Sequence, residues 1–77
     1  MSQAIHYDAV IYWSEIDGHY LAEVPDLPGC MADGRTLREA AANVEIVVND
    51  WIESALLDGE PVPKPKNKVR QILRKVS

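Results

Sequence analysis

Apolar residues first alternate with polar ones and later recur every three or four positions, and that change of period divides the chain. Ile5 to Trp13, IHYDAVIYW, places Tyr7, Ala9, Ile11 and Trp13 on one side and His6, Asp8, Val10 and Tyr12 on the other. A two-residue period rich in β-branched and aromatic residues predicts a strand. Asp17-Gly18 is a turn signal, because glycine tolerates the positive φ that tight hairpins require. His19 to Val24 then reads as a second strand, antiparallel to the first. Cys30 to Ala32 reads as a short third strand, ended by Asp33-Gly34.

From Thr36 the period lengthens. Leu37, Ala41, Val44, Val48, Trp51 and Ala55 recur at spacings of four and three, and Ala40, Val47 and Ile52 widen the stripe. This predicts a core-facing helix of about six turns. Thr36 and Glu39 form a capping box: the hydroxyl accepts the N–H of Glu39, and the Glu39 carboxylate reaches back to the N–H of Thr36. Small residues at 40–42 let the first half of the helix lie close to a sheet. Gly59 stands in the C′ place, and Pro61 prevents continuation. Ile46 and Leu57 break the pattern. At ~100° per residue both fall opposite the stripe, on a line that suits contact with a partner.

Beyond the helix, EPVPKPK is extended, because alternating prolines exclude a helix. In NKVRQILRKVS, the residues Val69, Ile72, Leu73 and Val76 suit a helix face, whereas a strand would group Val69 with Leu73. Both readings stay open. The expected class is α+β: a three-stranded antiparallel sheet, with room for a fourth short C-terminal strand, packed on one long helix in the order β-β-β-α-(β). Residues 1–65 form the domain and 66–77 a basic tail.

A chain of 77 residues fits one domain with a small core, which oligomerisation commonly supports. Cys30 is the sole cysteine, so no disulfide closes within the chain, and with only His6 and His19 no Cys/His metal cluster arises. Neither metal nor cofactor is implied. The first twenty residues hold only the short apolar run Val10 to Trp13, so neither a signal peptide nor a membrane span is expected. The cytoplasm is the simplest location. Residues 1–60 carry all 12 acids and only Arg35 and Arg38 as bases, whereas residues 61–77 carry six bases and no acid. An acidic body repels phosphates, so direct nucleic-acid binding is not expected except through the basic tail. The tail can equally fold back on the acidic body, its own or a neighbour's.

The stretch EVPDLPGCMADG concentrates rigid and permissive residues. Pro25 and Pro28 fix φ and remove two backbone donors, which stops strand pairing. Asp26 is a turn aspartate, able to accept from N–H groups two residues on. Leu27 plugs the core rim. Gly29 allows the reversal into the third strand, and the bulk of a valine there would block it. The stretch is foremost a structural corner, with contact to a partner through Asp26 and Leu27 as an additional role.

The arrangement strand, DG turn, strand, VPDLPGC, DGRT, capped helix and DGEPVPKP resembles the HicB antitoxin family, and within it the short single-domain HicB-like proteins. The resemblance covers residues 5–65. It is carried by Tyr20, Ala22, Val24, Pro25, Asp26, Leu27, Pro28, Gly29 and Cys30, then Gly34, Thr36, Ala40, Asn43, Trp51 and Ile52, then Gly59, Pro61 and Pro63. It implies a reduced ribonuclease-H-like core and a partner of the HicA type, a small RNA-cleaving toxin whose active site the antitoxin masks. Many relatives carry a further DNA-binding domain, and the 12 residues after Pro65 are too few to build one.

Catalysis is the weaker expectation. Cys30 at the start of a core strand is a small buried hydrophobe rather than a nucleophile. A metal-dependent ribonuclease-H-type hydrolase would need clustered carboxylates. Asp8, Glu45 and Asp50 are the available acids, and the helical phase makes the last two flank the core stripe or point away from it. The expected function is therefore a non-enzymatic, cytoplasmic antitoxin or related binding module that forms a homo-dimer or higher oligomer. The alternatives are the hydrolase and a stand-alone oligomeric domain without a toxin.

Overall fold

The computed structural model describes residues 6–66. It is an α+β fold: β1 (Val10–Ser14), β2 (His19–Glu23), β3 (Met31–Gly34) and one helix, α1 (Leu37–Leu57). The three strands form an antiparallel sheet with β2 in the centre. Residues 60–66 form no further strand, and positions 67–76 lie outside the described residues.

The sheet register sorts the side chains into two faces. Ile11 pairs with Ala22 and Ala22 with Ala32, while Trp13 pairs with Tyr20 and Tyr20 with Gly34. Directly opposed residues share a face, and this face meets α1. Ala22, Val24, Leu27, Cys30, Ala40 and Val44 form the buried core, with Tyr7, Ile11, Tyr20, Ala32, Val47, Val48 and Trp51 packed around it. The other face bears Val10, Tyr12, Ser14, His19, Leu21, Glu23, Met31 and Asp33. Val10, Tyr12 and Met31 are exposed there.

β1 starts at Val10, later than the alternating pattern predicts. A proline just past the end of the neighbouring strand explains the difference. The Val24 N–H turns toward β3 and donates to the Cys30 carbonyl (3.1 Å). Alternation then points the next N–H, that of residue 25, toward β1. Residue 25 is proline and has none, so the β1–β2 ladder ends at the Val10–Glu23 pair. Tyr7 instead donates its hydroxyl to the Pro63 carbonyl and packs on the core.

β3 also departs from expectation. Cys30 precedes it, and Asp33-Gly34 forms its end rather than a turn beyond it. Gly34 carries no positive φ. It is glycine for space: a Cβ there would lie 2.4 Å from the Ala40 backbone nitrogen. The sheet and the first half of α1 meet at this point, backbone against backbone, and Ala40 is fully buried. Sequence places Leu37 and Ala41 in the core stripe, but both are exposed. The buried line of the helix runs instead through Ala40, Val44 and Ala55.

Both helix ends follow their local signals. Thr36 is the N-cap, and its hydroxyl accepts from the Glu39 N–H at 3.0 Å. The returning bond of the box is shifted by one residue: the Glu39 carboxylate accepts from the N–H of Arg35, not of Thr36 (2.6 Å). At the other end Gly59 adopts φ 72°. Glu60 N–H donates to the Ala55 carbonyl (2.8 Å) and Gly59 N–H to the Leu56 carbonyl (3.3 Å), which together make a Schellman cap.

Candidate binding surfaces

The loop between β2 and β3 consists of two consecutive turns. Leu27 N–H donates to the Val24 carbonyl (3.1 Å), and Cys30 N–H to the Leu27 carbonyl (3.0 Å). Pro28 and Gly29 occupy the two central positions of the second turn. Gly29 has φ 77°, as the third residue of a type II turn requires. A Cβ at Gly29 would meet nothing within 4 Å. Handedness, not crowding at Cβ, makes the site glycine.

This loop is bound into the body at three places. Leu27 is a fully buried core side chain, 1% exposed. The Trp51 indole N–H donates to the Pro28 carbonyl (2.9 Å). Asp26 is also buried, and its Oδ2 accepts the Lys66 backbone N–H at 2.8 Å. The expected bond from Asp26 to a donor two residues on does not form, because that residue is Pro28, which has no N–H. The carboxylate instead anchors a segment 40 residues away. Its Oδ1 is buried with no hydrogen-bond partner among the described residues. Of the four residues proposed for partner contact, Asp26 and Leu27 are thus occupied inside the fold.

Ile46 and Leu57 lie on the outer side of α1, 59% and 82% exposed. Asp50 and Glu53 fall between them, giving a line spaced 4, 3 and 4 residues apart, which is one face of a helix. The line therefore reads apolar, acidic, acidic, apolar, and both acids are exposed. Sequence periodicity identifies the apolar ends. The two acids become part of the same feature once the helix is traced along that side.

The residues considered for catalysis are dispersed. Cys30 is buried, and burial pushes its thiol pKa up, the direction opposite to an activated nucleophile. His19 stands at the far end of β2 from the Cys30 side. Its Nε2 lies 3.9 Å from the Asp33 carboxylate on the outer face. Asp8 is half-buried with Oδ2 unpartnered among the described residues, while Glu45 and Asp50 are exposed. Among the described residues no three His, Cys, Asp or Glu side chains gather as a metal site would require. No helix among them is long and apolar enough to cross a membrane.

Comparison with known proteins places this arrangement in a family. A family model described as UPF0150-like matches residues 1–63. The chain belongs to the UPF0150 family. A UPF0150 protein of Thermoplasma acidophilum is 38% identical over 55 residues, covering 71% of this chain and 80% of that protein. A UPF0150 protein of Synechocystis sp. is 34% identical over 68 residues, covering 88% of this chain and 92% of its own length. Another from Synechocystis is 38% identical over 60 residues, covering 78% and 76%. The UPF0150 match spans the whole sheet, both turns of the β2–β3 loop and α1. Trp51, the Pro28 carbonyl it holds and the acidic helix line thus all lie in the family region.

Proposed function

We propose that this UPF0150 protein is a HicB-like antitoxin or a close functional relative, a non-enzymatic module that masks a small RNA-cleaving partner of the HicA type. The observation that carries the reading is the exposed line Ile46, Asp50, Glu53, Leu57 on a helix side that the core does not use. A protein that cleaves RNA must itself attract phosphate, so its working surface is basic. Two carboxylates held between two apolar anchors compete for such a surface: the acids occupy phosphate positions, and the apolar ends contribute buried area. The VPDLPGC and GRT signatures support the same reading through their resemblance to HicB proteins.

The protein acts in the cytoplasm as a homo-dimer, with the outer sheet face joining the copies. Val10, Tyr12 and Met31 are exposed on that face, and exposed apolar side chains on an open three-stranded sheet favour self-association.

The experiment pairs the protein with the product of any small basic reading frame adjacent to its gene. Binding and RNA cleavage by that product are measured with and without the protein. Tight binding with loss of cleavage supports the masking role. Cleavage of RNA by this protein alone with Mg²⁺ or Mn²⁺, abolished in Asp8→Asn, would establish the hydrolase instead.

A further inference from the structure

A groove of about 440 Å³ runs along the C-terminal half of α1, bounded by the chain that follows the Schellman cap. Val47, Trp51, Ser54 and Asp58 succeed one another at spacings of 4, 3 and 4, so they share one helix side. That side adjoins the line through Ile46 and Leu57, and Asp50 belongs to both. Val47, Trp51 and Ala55 form the less exposed, apolar floor, while Asp50, Asp58 and Glu60 stand exposed around it.

The rim calls for a cation that the body does not supply. Its lining includes three acids and no base, and among the described residues no base pairs with any of the three carboxylates. The negative end of the helix dipole falls at the same place, yet the last turn of α1 holds no base. The two bases of residues 1–60, Arg35 and Arg38, stand at the opposite end of the helix. Acids gathered at a helix C-terminus are disfavoured, and a cation from outside relieves them. The floor adds a second demand. A small cation leaves Val47 and Trp51 facing water, whereas a chain with Lys or Arg beside large apolar side chains covers the floor and reaches the rim.

We infer that the groove seats a basic, apolar segment on the surface of the RNA-cleaving partner; the identity of that partner rests on the masking role proposed above. Line and groove then make one docking face, with Asp50 at the seam. Val47 to Asp58 spans about 16 Å of helix, which matches about three helical turns or about five extended residues of a partner. The acids of the line attract any basic surface. The groove admits only one that also offers apolar side chains, and so supplies selectivity.

The probe is a synthetic peptide of alternating Leu-Leu and Arg-Arg pairs, titrated into the full chain and followed by amide and indole NMR. The Trp51 indole and the Ser54 and Asp58 amides shift and saturate, while the Trp13 indole and the Val10 and Tyr12 amides stay in place. Peptides with Glu for Arg, or with Ser for Leu, shift none of them. Asp58→Asn with Glu60→Gln weakens binding of the Leu/Arg peptide about fivefold, the effect of losing two exposed ion pairs. Ser54→Arg abolishes it, because a guanidinium one turn from both Asp50 and Asp58 fills the groove from within. Ser54 is exposed and arginine is a good helix former, so this variant keeps its fold. Shifts that are absent, equal for the three peptides or unchanged in Ser54→Arg overturn the proposal. So do groove resonances that move before peptide is added, whether on dilution, which assigns the groove to a second copy, or on changing Lys68, Arg70, Arg74 and Lys75 to Gln, which assigns it to the chain's own end. Both groove variants are then measured against the product of the adjacent basic reading frame. Binding of that product at wild-type strength by both overturns the groove proposal and leaves the masking role intact. Should no such product bind, the masking role falls, and the peptide titration alone decides the groove.

Discussion

Gly29 and Gly34 both sit in turn-like sequence, after Pro28 and after Asp33, yet they are glycine for different physical reasons. Gly29 has φ 77° with open space around it, so Gly29→Ala costs only the strain of a left-handed residue, about 1–2 kcal/mol. Gly34 has no such strain, but a Cβ would stand 2.4 Å from the Ala40 nitrogen and 2.8 Å from its Cα. Neither backbone can yield without parting sheet from helix. Gly34→Ala therefore costs about 3 kcal/mol or more, most of the stability of a domain this small. Thermal melts of the two variants check the order, and a Gly34→Ala protein as stable as Gly29→Ala would falsify the close-packing account. Local sequence marks both glycines, but only the fold shows which one a helix backbone presses on. Cys30 gives a second prediction at this scale. Burial raises its pKa above the ordinary 9.0, so the native state holds a proton that the unfolded chain releases. That contribution is complete below pH 9 and is lost as pH rises through the native value. Tyr7, raised by burial and then by Asp26, adds to the decline from its own ordinary value of 10.0 upward. Chemical denaturation at neutral pH and above pH 9 should show wild type losing more stability than Cys30→Ala, whose cost at neutral pH is about 1 kcal/mol.

Among the elements, the helix is the most legible in sequence, because its limits rest on short-range chemistry. Thr36, Glu39, Gly59 and Pro61 act within one turn of the ends they define. The strands are legible in existence and order but not in extent. β1 is cut short by Pro25, two residues past the end of its neighbour, and no pattern within residues 5–13 carries that information. The same holds for the β2–β3 loop. Its prolines and Gly29 announce turns, but the anchors that fix it come from Trp51 and Lys66, which are distant in sequence. Spacing alone assigns Trp51 to the core stripe; its indole N–H has the separate task of holding the loop. Trp51→Phe keeps an aromatic ring in the stripe and removes the donor to the Pro28 carbonyl. The expected cost is about 1 kcal/mol. Hydrogen exchange at Leu27 and Cys30 should quicken more than at Ala22 in the centre of the sheet. Equal acceleration at all three would mean that the bond stabilises the whole domain and does not specifically hold the loop.

For the whole molecule, the decisive quantity is which surfaces remain uncovered, and sequence reports this only in part. Ile46 and Leu57 are visible as helical misfits. The exposed Val10, Tyr12 and Met31 of the outer sheet face are not, because alternation alone does not say which side meets the helix. The two surfaces lie on opposite sides of a two-layer fold, so self-association through the sheet leaves the line on α1 open to a different partner. Light scattering at tens of micromolar should give a dimer, and Tyr12→Lys with Met31→Lys should give a folded monomer; a wild-type monomer would remove the sheet face as an interface. Partner binding then separates by charge and by contact. Asp50 and Glu53 act through a field screened by salt, so Asp50→Asn with Glu53→Gln should slow association and flatten its salt dependence. Ile46→Ser with Leu57→Ser removes buried area, so it should speed dissociation and leave the salt dependence unchanged. Neither pair is part of the core, and both variants should melt near wild type. Stopped-flow association and dissociation rates at 0.1 M and 1 M salt resolve the two effects. If both pairs changed only the dissociation rate, the acids would be acting as local contacts, and electrostatic competition with RNA would no longer explain why this helix side is acidic.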